Sequence, residues 1–178
     1  MPGRLEPEEE PYTIRLHLLS RLVWSVFDDI SEIKVLEDAN DSSSESKPFL
    51  GHPIALEPVS DFGLRTMLVT EGSLELKQAG FVALPDEWIA PMLTVQRDDN
   101  VPLTIGDFVT QVHAWLQIHK QDILDANEEL SGKDHEGFDY MYWGWIWVPT
   151  LKDLEPEEGD PRFQLYLRFV DPTGERQF

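Results

Sequence analysis

Hydrophobic and polar positions fall into a helical pattern most clearly between Thr104 and Leu124, TIGDFVTQVHAWLQIHKQDIL. Ile105, Phe108, Val109, Val112, Trp115 or Leu116, His119 and Ile123 recur at steps of three and four, which gathers them into one apolar stripe. Thr110, Gln111, Gln117, Lys120 and Gln121 fill the opposite, solvated face. Thr104 is the expected N-cap, with Asp107 three residues on in an aspartate version of the capping box. Pro102 stands just outside, where its missing N–H costs the helix nothing. At 1.5 Å per residue such a helix is about 30 Å long, enough to span a small domain. A second helix is expected from Thr13 to about Ile33. Ile14, Leu18, Leu22, Val26, Ile30 and Ile33 keep helical spacing there, and Leu19, Val23 and Phe27 widen the stripe.

Elsewhere the pattern turns to alternation and punctuation. Residues 64–70 (LRTMLVT) alternate, Glu71-Gly72-Ser73 interrupts them, and SLELKQA puts Leu74 and Leu76 on one face, which predicts a hairpin. Met92 to Gln96 predicts a short strand entering the turn at Arg97-Asp98-Asp99-Asn100. FDYMYWGWIWVP (138–149) is the most β-prone stretch, and RFQLYLRFV (162–170) predicts a closing strand with Phe163, Leu165, Leu167 and Phe169 on one face. Between these lie residues 36–48 (LEDANDSSSESKP), expected as a flexible acidic loop. Residues 49–63 and 80–91 are Pro- and Gly-marked connectors, and 122–139 is expected as an acidic connector. The first 11 residues predict a disordered acidic tail, and residues 12–178 a single domain.

Charge narrows the range of partners. The chain has 34 Asp and Glu against 14 Lys and Arg, a formal net charge of −20. Segments 1–11, 36–48, 122–139 and 152–160 hold twenty of those acids and four of the bases, and so carry −16 of the −20. The excess is therefore expected in loops and tail, as solvated surface or as an interaction rim. Such a surface repels nucleic-acid phosphates and anionic membranes and favours a basic protein partner. A DNA-mimic role would need acids at regular spacing on a rigid surface, which flexible loops do not supply. Cysteine is absent, which excludes disulfides, thiolate nucleophiles and thiolate metal sites. MPGRLEPEEEP lacks the apolar stretch of a secretory signal, and no apolar run approaches the eighteen or so residues needed to cross a bilayer. The expected setting is intracellular, cytoplasmic or nuclear.

A resemblance covers roughly residues 60–170. The order W-I-A-P-M-L-T-V, the helix start N-V-P-L-T-I-G-D-F, an aromatic strand, an acidic Gly/Pro loop and R-F-Q-L-Y-L resembles an uncharacterised fungal domain family. Thr104, Ile105, Asp107 and Phe108 sit where that family's helix start falls. The resemblance implies a fold with two closing strands and brings no catalytic residue with it. The chain departs from the pattern in its penultimate strand, where Tyr142-Trp143-Gly144-Trp145-Ile146-Trp147 replaces a more basic sequence.

The tryptophan row is the most unusual chemical feature. Trp143, Trp145 and Trp147 occupy alternate positions, so a regular strand would project all three from one face, with Tyr140, Tyr142, Ile146 and Val148 on the other. Indoles in a row can anchor a protein partner, stack on a planar ligand or hold a cation, and they can equally fill core beneath the long helix. Gly144 within the row is the kind of residue that marks a bulge or a close approach. His113 and His119 are six apart on the main helix and cannot share a metal; neither has a partner at the i+4 spacing of a helical zinc pair. His135 lies among Asp134, Glu136 and Asp139, without the spacing of a calcium loop. No Gly-x-Ser-x-Gly elbow and no phosphate-binding Gly-x-x-x-x-Gly-Lys occurs. Ser42, with Glu45 three positions on, fits a kinase that prefers acidic sequence.

These patterns predict an α+β domain, an antiparallel sheet packed against two main helices, with long acidic loops. The functional expectation is a non-enzymatic interaction module without cofactor, metal or catalytic residues. Tyr142, Trp143, Trp145 and Trp147 would anchor a basic or amphipathic protein, inside an acidic rim. The alternative is a small-molecule binder or cofactor-independent enzyme with a Trp-lined pocket and His52 or His113 as general base.

Overall fold

The computed structural model describes residues 14–41, 43–61, 63–81, 88–132, 139–147 and 162–170. Outside these lie the expected tail 1–11, Ser42, His135 and the acidic loop 152–160. In chain order the elements are α1 (Leu16–Leu19), β1 (Leu22–Val23), β2 (Lys34–Leu36), β3 (Ser46–Pro48), β4 (Thr66–Glu71), α2 (Gly72–Leu76), β5 (Leu93–Gln96), α3 (Ile105–Ile118), α4 (Lys120–Ser131), β6 (Asp139–Trp147) and β7 (Arg162–Val170). Two 3-10 turns, Ile30–Glu32 and Pro53–Leu56, and a π-helical turn, Lys77–Phe81, join them. The α+β class is as expected, with helices packed on two sheets.

The main helix begins as its sequence predicts. Thr104 Oγ1 accepts the Asp107 N–H at 3.1 Å, and Asp107 Oδ2 accepts the Thr104 N–H at 2.9 Å, closing the capping box. Ile105, Phe108, Val109, Val112, Trp115 and Leu116 are buried along one stripe. The start of α3 is also tied to the connector before it. Val59 N–H donates to Leu103 O at 3.0 Å, and Ile105 N–H to Glu57 O at 2.9 Å. Gly106 is what lets α3 approach the 3-10 turn Pro53–Leu56, since a Cβ there would stand 2.8 Å from the Ala55 carbonyl oxygen.

Several expectations are corrected. The helix does not run unbroken to Leu124: the backbone leaves helical geometry at His119 (φ −98°, ψ 13°), and α4 begins as a second helix. α4 takes in most of the expected acidic connector, burying Ile123, Ala126 and Asn127, and stops at left-handed Gly132. It is therefore α4, not residues 13–33, that makes the second main helix. Among the described residues between Ile14 and Ile33 only α1 is α-helical, and the chain then extends. Leu22, Trp24 and Val26 are buried, while Val23 and Ser25 between them and Arg21 and Phe27 on either side are partly exposed. Those apolar residues satisfy a two-residue period as well as a helical one, and pairing with β2 selects the former (Leu22 opposite Val35). Arg21 Nε, donating 2.7 Å to Leu36 O, locks that choice.

The expected hairpin after residue 64 is also replaced. β4 forms, but the chain that follows turns into α2 because Glu71 caps it, accepting the Leu74 N–H at 3.1 Å. Leu74 is buried and Leu76 is exposed, so they do not share a face. The antiparallel partner of β4 is β5 instead, with Met67 opposite Val95. Residues 36–48, expected as a flexible loop, begin and end in strands: β2 and β3 pair antiparallel, Leu36 opposite Ser46. Glu37 N–H continues the pairing to Glu45 O at 3.0 Å.

The smaller sheet runs β1-β2-β3 and the larger β5-β4-β7-β6. The larger sheet is mixed: β4 and β7 at its centre are parallel, Glu71 opposite Leu165, and the outer pairs are antiparallel. A parallel pair needs a long crossover, and α2, β5, α3, α4 and β6 all lie in it. The core is continuous, from Trp24, Val35 and Phe49 through Val69 and Leu74 to Phe108, Leu116, Ile123 and Leu165.

Candidate functional site

Tyr142, Trp143, Trp145 and Trp147 all lie on β6. Their side chains fall outside the described residues, so the backbone alone positions them. From Asp139 to Trp143 the β6–β7 ladder is regular, Tyr142 opposite Leu167 and Trp143 opposite Tyr166. The next pair is Trp147 opposite Gln164. Four residues of β6 thus advance against two of β7, and this irregularity spans Gly144 and Trp145. The regular alternation assumed for the three tryptophans is interrupted within the row. α1 and β1 lie alongside β6, which brings the smaller sheet close to the aromatic strand.

The remaining described tryptophans are structural. Trp24 is fully buried, its ring 6.3 Å from that of His113 and near parallel to it. Trp115 is buried and meets the His119 ring at 5.2 Å. Trp88 is partly buried beneath Lys77, whose Nζ lies 5.6 Å from its ring centre.

The two histidines considered as general bases each have a ring nitrogen engaged by backbone. His52 Nδ1 accepts the Ile54 N–H at 3.1 Å, capping the 3-10 turn Pro53–Leu56. His113 Nε2 lies 2.8 Å from the Asp28 carbonyl oxygen, and Gln117 one turn on donates 3.0 Å to Val26 O. Together they dock the chain after β1 onto α3. His119, the polar member of the expected apolar stripe, stands half-buried at the α3–α4 corner, 3.5 Å from Asp122 Oδ2. Among the described residues no group of His and carboxylate side chains could hold a metal ion, and no helix is long and apolar enough to cross a membrane.

One cluster was not visible in the sequence. Glu71, at the end of β4, is only 2 % exposed, and Ser73 and Asn127 are buried beside it. Asn127 Nδ2 donates to Ser73 Oγ at 3.1 Å and to Ile123 O at 2.8 Å. Ser73 Oγ donates in turn to Glu71 Oε2. Burial pushes the Glu71 carboxyl above its ordinary range, against hydrogen bonds from Ser73 and Leu74 that favour the anion. By contrast, the exposed acids Asp29, Asp41 and Asp99 are pulled below theirs, chiefly by side-chain hydrogen bonds from Ser31, Ser43 and Arg97. Residues 73 and 127 are too far apart in sequence for any local pattern to join them. The signal the sequence offered was a carboxylate at the break between two apolar runs, and that break read as a hairpin turn.

The acidic segments take different forms. Glu37, Asp38, Asp41 and Glu45 lie between β2 and β3, in the turns that join the two strands, whereas the acids from Asp122 to Glu129 ride on α4 rather than on a connector. No protein-family model, curated protein or solved structure matches the chain.

Proposed function

We propose that this chain is a non-enzymatic protein-interaction module that takes a basic or amphipathic protein partner through Tyr142, Trp143, Trp145 and Trp147. The reading rests on one coincidence: the β6–β7 register slips between Trp143 and Trp147, across the residues that the aromatic pattern nominates. Irregularities of this kind concentrate at sheet edges and functional sites, where they re-aim side chains out of regular pairing. Tryptophan contributes more binding energy per residue at protein interfaces than almost any other side chain. The −20 charge supplies the complement to a basic partner and would steer the encounter over a distance that salt shortens. A cysteine-free chain suits the reducing interior of the cell, which is where we place this function.

The test is titration calorimetry with a lysine-rich amphipathic peptide at low and high salt, on the native chain and on Trp145→Ala. The variant should keep its far-ultraviolet circular dichroism and bind at least about tenfold more weakly, as expected for an interface anchor. Affinity unchanged in the variant would remove the aromatic row from the function. Affinity indifferent to salt would remove the acidic steering.

A further inference from the structure

The buried polar chain that joins α4 to the corner between β4 and α2 has no part in that reading, and its chemistry asks for an explanation. Glu71 is enclosed by protein, and among the described residues no ion pair reaches it. Ionised, it would be a buried charge supported by the Ser73 hydroxyl and the Leu74 N–H. Protonated, it keeps those contacts without the cost of holding a charge away from water.

The surroundings do not favour the charge. From α2, Glu75 adds a negative field. Lys77, just past α2, is turned to Glu129 of α4 at 3.7 Å and to the Trp88 ring. α4 contributes Lys120, Asp122, Asp125, Glu128 and Glu129, one base against four acids. The flanks of β4 and β5 contribute Arg65 and Arg97, the latter paired with Asp99 and Asp107. β7, opposite Glu71 at Leu165, carries Arg162 and Arg168 three residues to either side.

We propose that Asn127, Ser73 and Glu71 form a proton-linked latch. It holds α4 on the β4–α2 corner, closed while the Glu71 carboxyl keeps its proton and loosened when that carboxyl ionises. The connection is direct. Asn127 is the α4 residue in the chain, its amide bonds both Ser73 and its own helix backbone, and Ser73 passes the link to the strand end. The sign follows from linkage. A carboxyl that binds its proton more tightly in the closed form than in the open form stabilises closure below its open-form pKa. That stabilisation is lost as pH rises through the closed-form value.

The experiment combines a carbon-13 carboxyl titration with hydrogen exchange of the α4 amides, on the full chain and on Glu71→Gln. The Glu71 carboxyl should titrate above the exposed glutamates. α4 protection, corrected for intrinsic exchange, should fall by up to about tenfold per pH unit through that titration. In Glu71→Gln, which keeps the hydrogen-bonding shape without the ionisation, the dependence should be flat. A Glu71 carboxyl that titrates with the exposed glutamates overturns the latch, as does a variant whose α4 protection keeps the native pH dependence. If the variant does not fold, the native titration still decides.

Discussion

At the start of α3 the Thr104 hydroxyl accepts the Asp107 N–H at 3.1 Å, and at the start of α2 the Glu71 carboxyl accepts the Leu74 N–H at the same distance. Each cap reaches three residues forward and satisfies a donor the helix leaves free. What surrounds them differs. The Thr104–Asp107 box is part-buried, and Arg97 stands 3.5 Å from Asp107, so any charge there shares water and a counter-ion. The Glu71 cap is closed off and leans on Ser73 and Asn127. The same local geometry serves an ordinary helix start in one place and a costly buried acid in the other. The lesson is that capping chemistry is local, whereas the electrostatic consequence of a cap is set by what packs over it.

That contrast can be broken from either side. The largest effect is expected at the buried cap: Asn127→Ala removes a donor shared between Ser73 and Ile123 and opens a small void. It should cost about 2 kcal/mol in urea denaturation. A loss below about 0.5 kcal/mol would mean the buried chain is not under load. At the open cap, Thr104→Ala should cost about 1 kcal/mol, with Thr104→Ser recovering most of it. The smallest effect is expected for Arg97→Ala, which leaves Asp107 to solvent. It should lower stability only slightly, and less at high salt. A salt-insensitive loss would show that Arg97 acts through packing rather than charge.

How much of this was legible in the sequence follows the same division. The α3 start was readable because Thr and Asp at that spacing are preferred cap residues and the stripe behind them has one period. β5 and β7 were readable because turn residues bound them. Residues 22–26 were ambiguous: their apolar positions fit two periods, and only the pairing with β2 chose between them. The α2 turn was hidden because glutamate is an unusual N-cap, and Glu71-Gly72-Ser73 reads as a break between strands. The break at His119 left no mark in the periodicity, since Ile123 continues the stripe on the far side. As for the aromatic strand, its extended state was legible, but the slip beside Trp143 depends on the partner strand and could not be read from alternation alone.

β5 forms one margin of the larger sheet, and α3 lies against it. The side chain of Gln111 accepts the Gln96 N–H at 3.3 Å and donates to the Gln96 carbonyl at 2.9 Å. A glutamine amide has the donor and acceptor of a peptide group, so here a helix presents to the strand what a neighbouring strand would have offered. The margin is therefore occupied at that residue by the protein's own side chain, and a stray strand from another molecule finds no vacant pair of hydrogen bonds there. For a chain of many acids and few bases, such guarding need not rely on charge repulsion, and it persists in salt concentrations that would screen the repulsion away.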